Sequence, residues 1–98
     1  MTIELHYLTF DFSDEDSGRG SFDALASVLP ERQPALLEEI VAVLRWAEAT
    51  FGPGGEEAEW DHALQATPEP PGRTTVAFTI SGSAAFCEAF RAAFAEAA

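Results

Sequence analysis

Apolar and polar residues alternate in four segments of the chain, a pattern typical of β-strands with one buried face. The four predicted strands cover residues 2–12, 21–29, 57–66 and 73–81. For residues 21–29 a helix is the competing interpretation, because alanine is a poor strand former. We favour a strand there, since a glycine-containing loop joins this segment to the first alternating run.

Two further segments have apolar residues at helical spacings of three and four. The first, residues 31–51, ends at Gly52-Pro53, a typical helix stop. Its apolar stripe contains Leu37, Ile40, Val41, Leu44, Ala47 and Phe51. The second helix follows Ser81-Gly82-Ser83, where either serine can cap it. It carries a ridge of three phenylalanines, Phe86, Phe90 and Phe94.

The resulting order, β-β-α-β-β-α, predicts an α+β fold in a single small domain covering residues 1–98. We expect a two-layer sandwich in which both helices cover one face of a four-stranded, mainly antiparallel sheet. A helical crossover leaves its flanking strands parallel to each other. A strand order of 2-1-3-4 would then make all neighbouring strands antiparallel.

The apolar residues of the first predicted strand change parity halfway along it. One set is Ile3, Leu5 and Tyr7, and the other is Leu8, Phe10 and Phe12. Because successive side chains point to opposite faces, the change requires either a bulge or an apolar patch on the open face of the sheet. Trp46 lies beside the main stripe of the long helix. Together, Leu8, Phe10, Phe12 and Trp46 are the predicted partner-binding residues.

Composition narrows the classes of partner and compartment. The formal net charge is −12, with 17 acidic and 5 basic residues, which argues against binding to nucleic acid or to an anionic membrane. The hydrophobic fraction of 47% disfavours disorder. A single cysteine, the absence of an apolar membrane-spanning stretch and a first segment unlike a signal peptide favour the cytoplasm. Arginine without lysine, in an alanine-rich chain, favours a bacterial source.

Three groups of residues could carry chemistry. His6 and His62, with Asp61 nearby, could in principle hold a metal ion. The two histidines lie at unrelated positions of their strands and no further ligand is spaced beside them, so a partly buried His62 with a backbone partner is favoured. The acidic loop Asp11 to Asp16 lacks the spacing of a calcium loop, so a solvated loop is favoured. Cys87 has no histidine near it in sequence, which favours a packed, inert thiol. We therefore predict no metal ion, no cofactor and no catalytic residues.

These observations favour a non-enzymatic, acidic protein-interaction module of a bacterial cytoplasm. Its predicted partner is another protein or a second copy, bound through an aromatic face of the sheet. With a basic partner, the negative charge would speed encounter. The alternative is a small enzyme or ligand-binding domain with a pocket involving His6, Asp61 and His62.

Overall fold

A computed structural model describes residues 5–15, 17–55 and 58–94 of the chain. These residues form four strands, β1 (Phe10–Asp14), β2 (Gly20–Val28), β3 (Trp60–Glu69) and β4 (Arg73–Gly82), and two helices, α1 (Gln33–Phe51) and α2 (Ala84–Ala93). A short 3-10 turn at Pro30–Arg32 leads into α1. The order of elements, β-β-α-β-β-α, is the predicted one, and the predicted α+β class is confirmed.

The four strands form one sheet in the order β1-β2-β4-β3, with every neighbouring pair antiparallel. The expected order 2-1-3-4 is therefore wrong: the central pair is β2 with β4, and β1 and β3 are the two edges. Both orders make all neighbours antiparallel after one helical crossover, so alternation could not choose between them. The central pair consists of two long strands, whereas β1 has only 5 residues.

One face of the sheet is covered by the helices and holds the core. Alternate residues of β2, from Phe22 to Val28, are buried on this face, as are Val76, Phe78 and Ile80 of β4. The opposite face is open and polar, with Thr79 donating a hydrogen bond to Asp23 over 2.6 Å. Among the described strand residues, none on this open face is aromatic.

One end of each helix lies where a sequence signal predicts it, namely the start of α2 and the end of α1. The Ser83 hydroxyl accepts a hydrogen bond from the Phe86 N–H over 3.2 Å, so Ser83 is the N-cap of α2. Gly52, with a φ of 80°, ends α1, and its N–H donates to the Glu48 carbonyl. Neither helix is long and apolar enough, over its described residues, to cross a membrane.

β1 begins at Phe10, whereas the prediction began the first strand at residue 2; residues 1–4 lie outside the described part. Residues 5–9 are not a strand. Instead, the N–H groups of His6, Tyr7 and Leu8 donate hydrogen bonds to the Glu39 carboxylate of α1, at 2.8 to 3.2 Å. This resolves the parity change without a bulge in the described part of the chain, because Leu8 packs into the core from outside the sheet.

Candidate interaction surface

The inner, helix-facing side of β3 is exposed although its neighbour β4 is buried on the same side. Inner-face residues of the two strands lie directly opposite each other: His62 with Ile80, Leu64 with Phe78 and Ala66 with Val76. The three β4 residues are buried, whereas all three β3 residues are exposed. The helical layer therefore stops at β4 over this part of the sheet, and only Trp60, at the start of β3, is covered.

Helix α1 presents an uncovered apolar flank towards β3. Its buried residues are Leu36, Ile40, Val43 and Ala47. Leu37 and Val41 lie one helical turn apart on the next flank and are 48% and 41% exposed. A cavity of about 110 Å³ between α1 and the sheet is lined by Leu37 together with Ala66 of β3, so this flank faces the uncovered strand.

We call Leu37, Val41, Leu64 and Ala66 the α1–β3 surface. Leu64 is 46% exposed, so three large aliphatic side chains meet solvent on one side of the molecule. Contiguous exposed apolar patches typically mark binding sites on soluble proteins. The surface joins two elements far apart in sequence, which brings together residues that no local motif connects.

The α1–β3 surface adjoins β3, an edge strand of the sheet that the described residues form, and the middle of this strand lacks the usual protection. Residues 62–67 contain no Asp, Glu, Lys or Arg. Edge strands of monomeric proteins usually carry charges, prolines or bulges that block pairing with another chain. In β3, proline occurs only near the end, at Pro68. Six successive residues of this edge can therefore accept a further strand.

A groove of about 460 Å³ runs along the outer side of α1 and shares Leu37 and Val41 with the α1–β3 surface. Val41 and Ala42 line the groove between Glu38 and Arg45. Both charged side chains are exposed. Because Glu38 and Arg45 are seven residues apart, or about two helical turns, they point in nearly the same direction.

The structure places the four predicted partner-binding residues differently from each other. Leu8 and Phe10 are buried in the core, and Trp46 packs in part against phenylalanines of α2. Of the two alternatives for the first strand, the apolar patch on the open face of the sheet is therefore wrong. Phe12 is 37% exposed and lies under the Arg91 guanidinium, 3.9 Å from its ring centroid. Whether these residues bind a partner stays a prediction.

His6, Asp61 and His62 are not brought together. His6 lies beside Glu39, on the flank of α1 away from β3. His62 is exposed on the inner face of β3, 5.9 Å from the Trp60 ring, so the expectation of partial burial is wrong. Asp61 is the adjacent strand residue and faces the other side. The described residues contain no cluster of three or more potential metal ligands.

The acidic residues near β1 lie at the opposite edge of the sheet from Glu59 and Asp61, which lie near the start of β3. Glu56 and Glu57 lie outside the described residues. Asp11, Asp14 and Glu15 are exposed, and Asp16 lies outside the described residues. The expected neighbourhood of β1 and β3 would have placed the two acidic groups side by side. The observed order separates the two edges by two strands. Charge repulsion between the groups is correspondingly weaker than expected.

Cys87 is a buried thiol on the inner side of α2. It donates to the Gly82 carbonyl over 3.7 Å. Burial raises the pKa of the Cys87 thiol, although a backbone hydrogen bond at Gly20 and the charges of Arg91 and Arg19 oppose the shift. A thiol with a raised pKa is a poor nucleophile at neutral pH, in keeping with the predicted packing role.

Comparisons of the chain with protein-family models, curated proteins and solved structures found no match. The candidate surface is therefore argued from the residues of this chain alone.

Leu37 and Val41 belonged to the predicted apolar stripe, but the sequence pattern assigned them to the core. The sequence signal for their exposure was the width of the apolar stripe, because Leu36 and Val43 already fill the core-facing positions.

Proposed function

We propose that the chain is a protein-interaction domain and that its α1–β3 surface binds another protein chain. The observation that carries this proposal is the exposed inner face of β3 beside the exposed flank of α1. Leu37, Val41 and Leu64 are 48%, 41% and 46% exposed there, next to β3, which is an edge strand among the described residues.

The two parts of the surface suit complementary contacts. A strand that pairs with β3 would satisfy the free backbone groups of this edge, which supplies affinity with little sequence requirement. Side chains entering beside Leu37 and Leu64 would bury apolar area and supply specificity. Both contacts use a polypeptide, which is the reason for proposing a protein partner.

The distribution of charge supports the same choice of partner. The acidic residues Asp11, Asp14 and Glu15 lie at the β1 edge, whereas residues 62–67 of the β3 edge are uncharged. A net charge of −12 disfavours nucleic acid and anionic lipid as ligands. The cytoplasm of a bacterium, inferred from composition, remains the proposed compartment.

The alternative function, a ligand pocket formed by His6, Asp61 and His62, has less support. His6 lies beside Glu39 of α1, whereas His62 and Asp61 lie on opposite faces of β3. Catalysis and tight ligand binding require polar groups that converge on one site. We therefore propose no reaction for this protein.

Site-specific photo-cross-linking tests the proposed function. A photoreactive amino acid replaces Leu64 in one variant and Leu25 in a matched control, and both are expressed in cells of the source organism. Leu25 is 71% exposed but lies on the open polar face of the sheet. We expect discrete protein adducts from position 64 and not from position 25. Equal labelling at both positions, or no adduct at position 64, would contradict the proposal.

A further inference from the structure

Resting on the proposed function, we infer that the partner of the α1–β3 surface is a second copy of this chain, bound about a two-fold axis that crosses α1 near Val41 and Ala42. The inference comes from the order of charged and apolar residues along the outer groove of α1. Glu38 lies before the apolar pair Val41 and Ala42, and Arg45 lies after this pair.

This order is self-complementary when two helices run antiparallel. A two-fold interface repeats every contact between different residues. If residue i of one copy contacts residue j of the other, residue j of the first copy contacts residue i of the second. The midpoint between Glu38 and Arg45 falls between Val41 and Ala42. A crossing there places Glu38 of each copy beside Arg45 of the other, which forms two ion pairs with one arrangement.

The centre of the groove also fits a helix as its occupant. Ala42 is small and allows close approach of a second backbone, and packed helices lie about 8–10 Å apart. Val41 and Leu37 would lose solvent contact along one side of the crossing. Near β3, the exposed Leu64 would extend the apolar contact beyond the helix pair.

Net charge opposes this association and limits its strength. Each copy carries a formal charge of −12, so two copies repel at long range. Exposed ion pairs contribute little energy individually, about 0–1 kcal/mol. The Glu38–Arg45 pairs therefore fix the orientation of the two copies, while burial of Leu37, Val41 and Leu64 supplies the stability.

A charge-exchange series tests the inference by sedimentation equilibrium. We compare the unmodified chain with E38R, R45E and the double variant E38R/R45E. Either single variant places like charges opposite each other twice per dimer, so we expect each to weaken association by about fivefold or more. The double variant restores opposite charges and should return to within about twofold of the unmodified chain.

Glu88→Arg is the matched control for net charge. Glu88 is exposed on α2, away from the groove, and its replacement changes the total charge as E38R does. Lower net charge reduces repulsion, so E88R should strengthen the dimer slightly. If E38R behaves like E88R, only total charge matters and the inference fails.

Two further outcomes would overturn the inference. One is a monomer at about 1 mM, where the standard binding free energy is only about 4 kcal/mol. The other is a double variant that stays as weak as the single variants. Adducts from position 64 to a different protein, together with a monomeric chain, would remove the second copy as partner and leave the proposed function standing.

Discussion

Helix α1 has two flanks, and only one of them is covered by other described parts of the chain. On one flank, Trp46 packs against Phe86, Phe90 and Phe94 at ring-centroid distances of 5.3–5.8 Å, and Glu39 holds the backbone of residues 6–8. On the other flank, Leu37 and Val41 are exposed, and Leu37 borders the cavity beside β3. The difference comes from the neighbouring elements, because α2 and the first described residues lie on the same side of α1.

The comparison shows that an apolar pattern identifies a face without showing what covers it. Inner-face and outer-face residues alternate along β3 as they do along β4. Phe78 is nevertheless fully buried, and its cross-strand partner Leu64 is 46% exposed. Which strands of the sheet are buried depends on where the two helices, each of limited width, pack against it. An uncovered part of a well-patterned face is thus a natural place for another chain to bind.

Truncation of one large side chain on each flank of α1 should give the largest difference in the free energy of unfolding. Trp46→Ala removes four aromatic contacts and should lower the free energy of unfolding by about 3 kcal/mol, the lower end for aromatic truncation, because Trp46 is only partly buried. Leu37→Ala on the open flank should cost less than about 1 kcal/mol. Denaturant unfolding measures both at a concentration where the chain is monomeric. Equal losses would contradict the assignment of a covered and an open flank.

Two adjacent glutamates allow a second test of the covered flank. Glu39→Gln should destabilise the fold by about 1–3 kcal/mol, because three backbone N–H groups lose a charged acceptor. Glu38→Gln, one residue earlier and exposed, is the control and should change stability by less than about 0.5 kcal/mol. Faster amide exchange at His6, Tyr7 and Leu8 in E39Q alone would locate the effect. Unchanged exchange there would show that the Glu39 contact does not hold this segment.

A smaller effect concerns pH and the burial of Cys87. Burial raises the thiol pKa above its ordinary value of 9.0, so the folded chain holds this proton more tightly than the unfolded chain. The stabilisation is therefore complete below the unfolded-state pKa and is lost as pH rises through the folded-state pKa. We expect the free energy of unfolding to fall more steeply above about pH 8.5 in the unmodified chain than in Cys87→Ala. Parallel pH profiles would contradict burial of the thiol.

Much of the fold followed from residue periodicity and end signals. Alternation located β2, β3 and β4 to within a few residues, and the serine at position 83 and the glycine at position 52 marked helix ends correctly. These features depend on local geometry, which a short segment determines by itself. The aromatic ridge of α2 was likewise predicted, and Phe86, Phe90 and Phe94 are all fully buried.

The remaining features depend on contacts between distant segments. Strand order was wrong because two orders satisfy the same antiparallel rule. The start of β1 was wrong because Glu39, more than thirty residues away, binds the backbone that was predicted to be a strand. The candidate surface was missed for the same reason, since the exposure of Leu37 and Leu64 depends on where the helices lie.

The central claim is that the α1–β3 surface binds another chain, and the occupant we infer is a second copy. Sedimentation equilibrium of three chains tests this most directly. The chains are the unmodified protein, Leu37→Asp and the control Leu25→Asp. Both substitutions add one negative charge at an exposed leucine, but Leu25 lies on the open sheet face. We predict that the unmodified protein and L25D form dimers with similar Kd values and that L37D stays monomeric. Dimers that survive L37D as well as L25D would contradict the proposed surface.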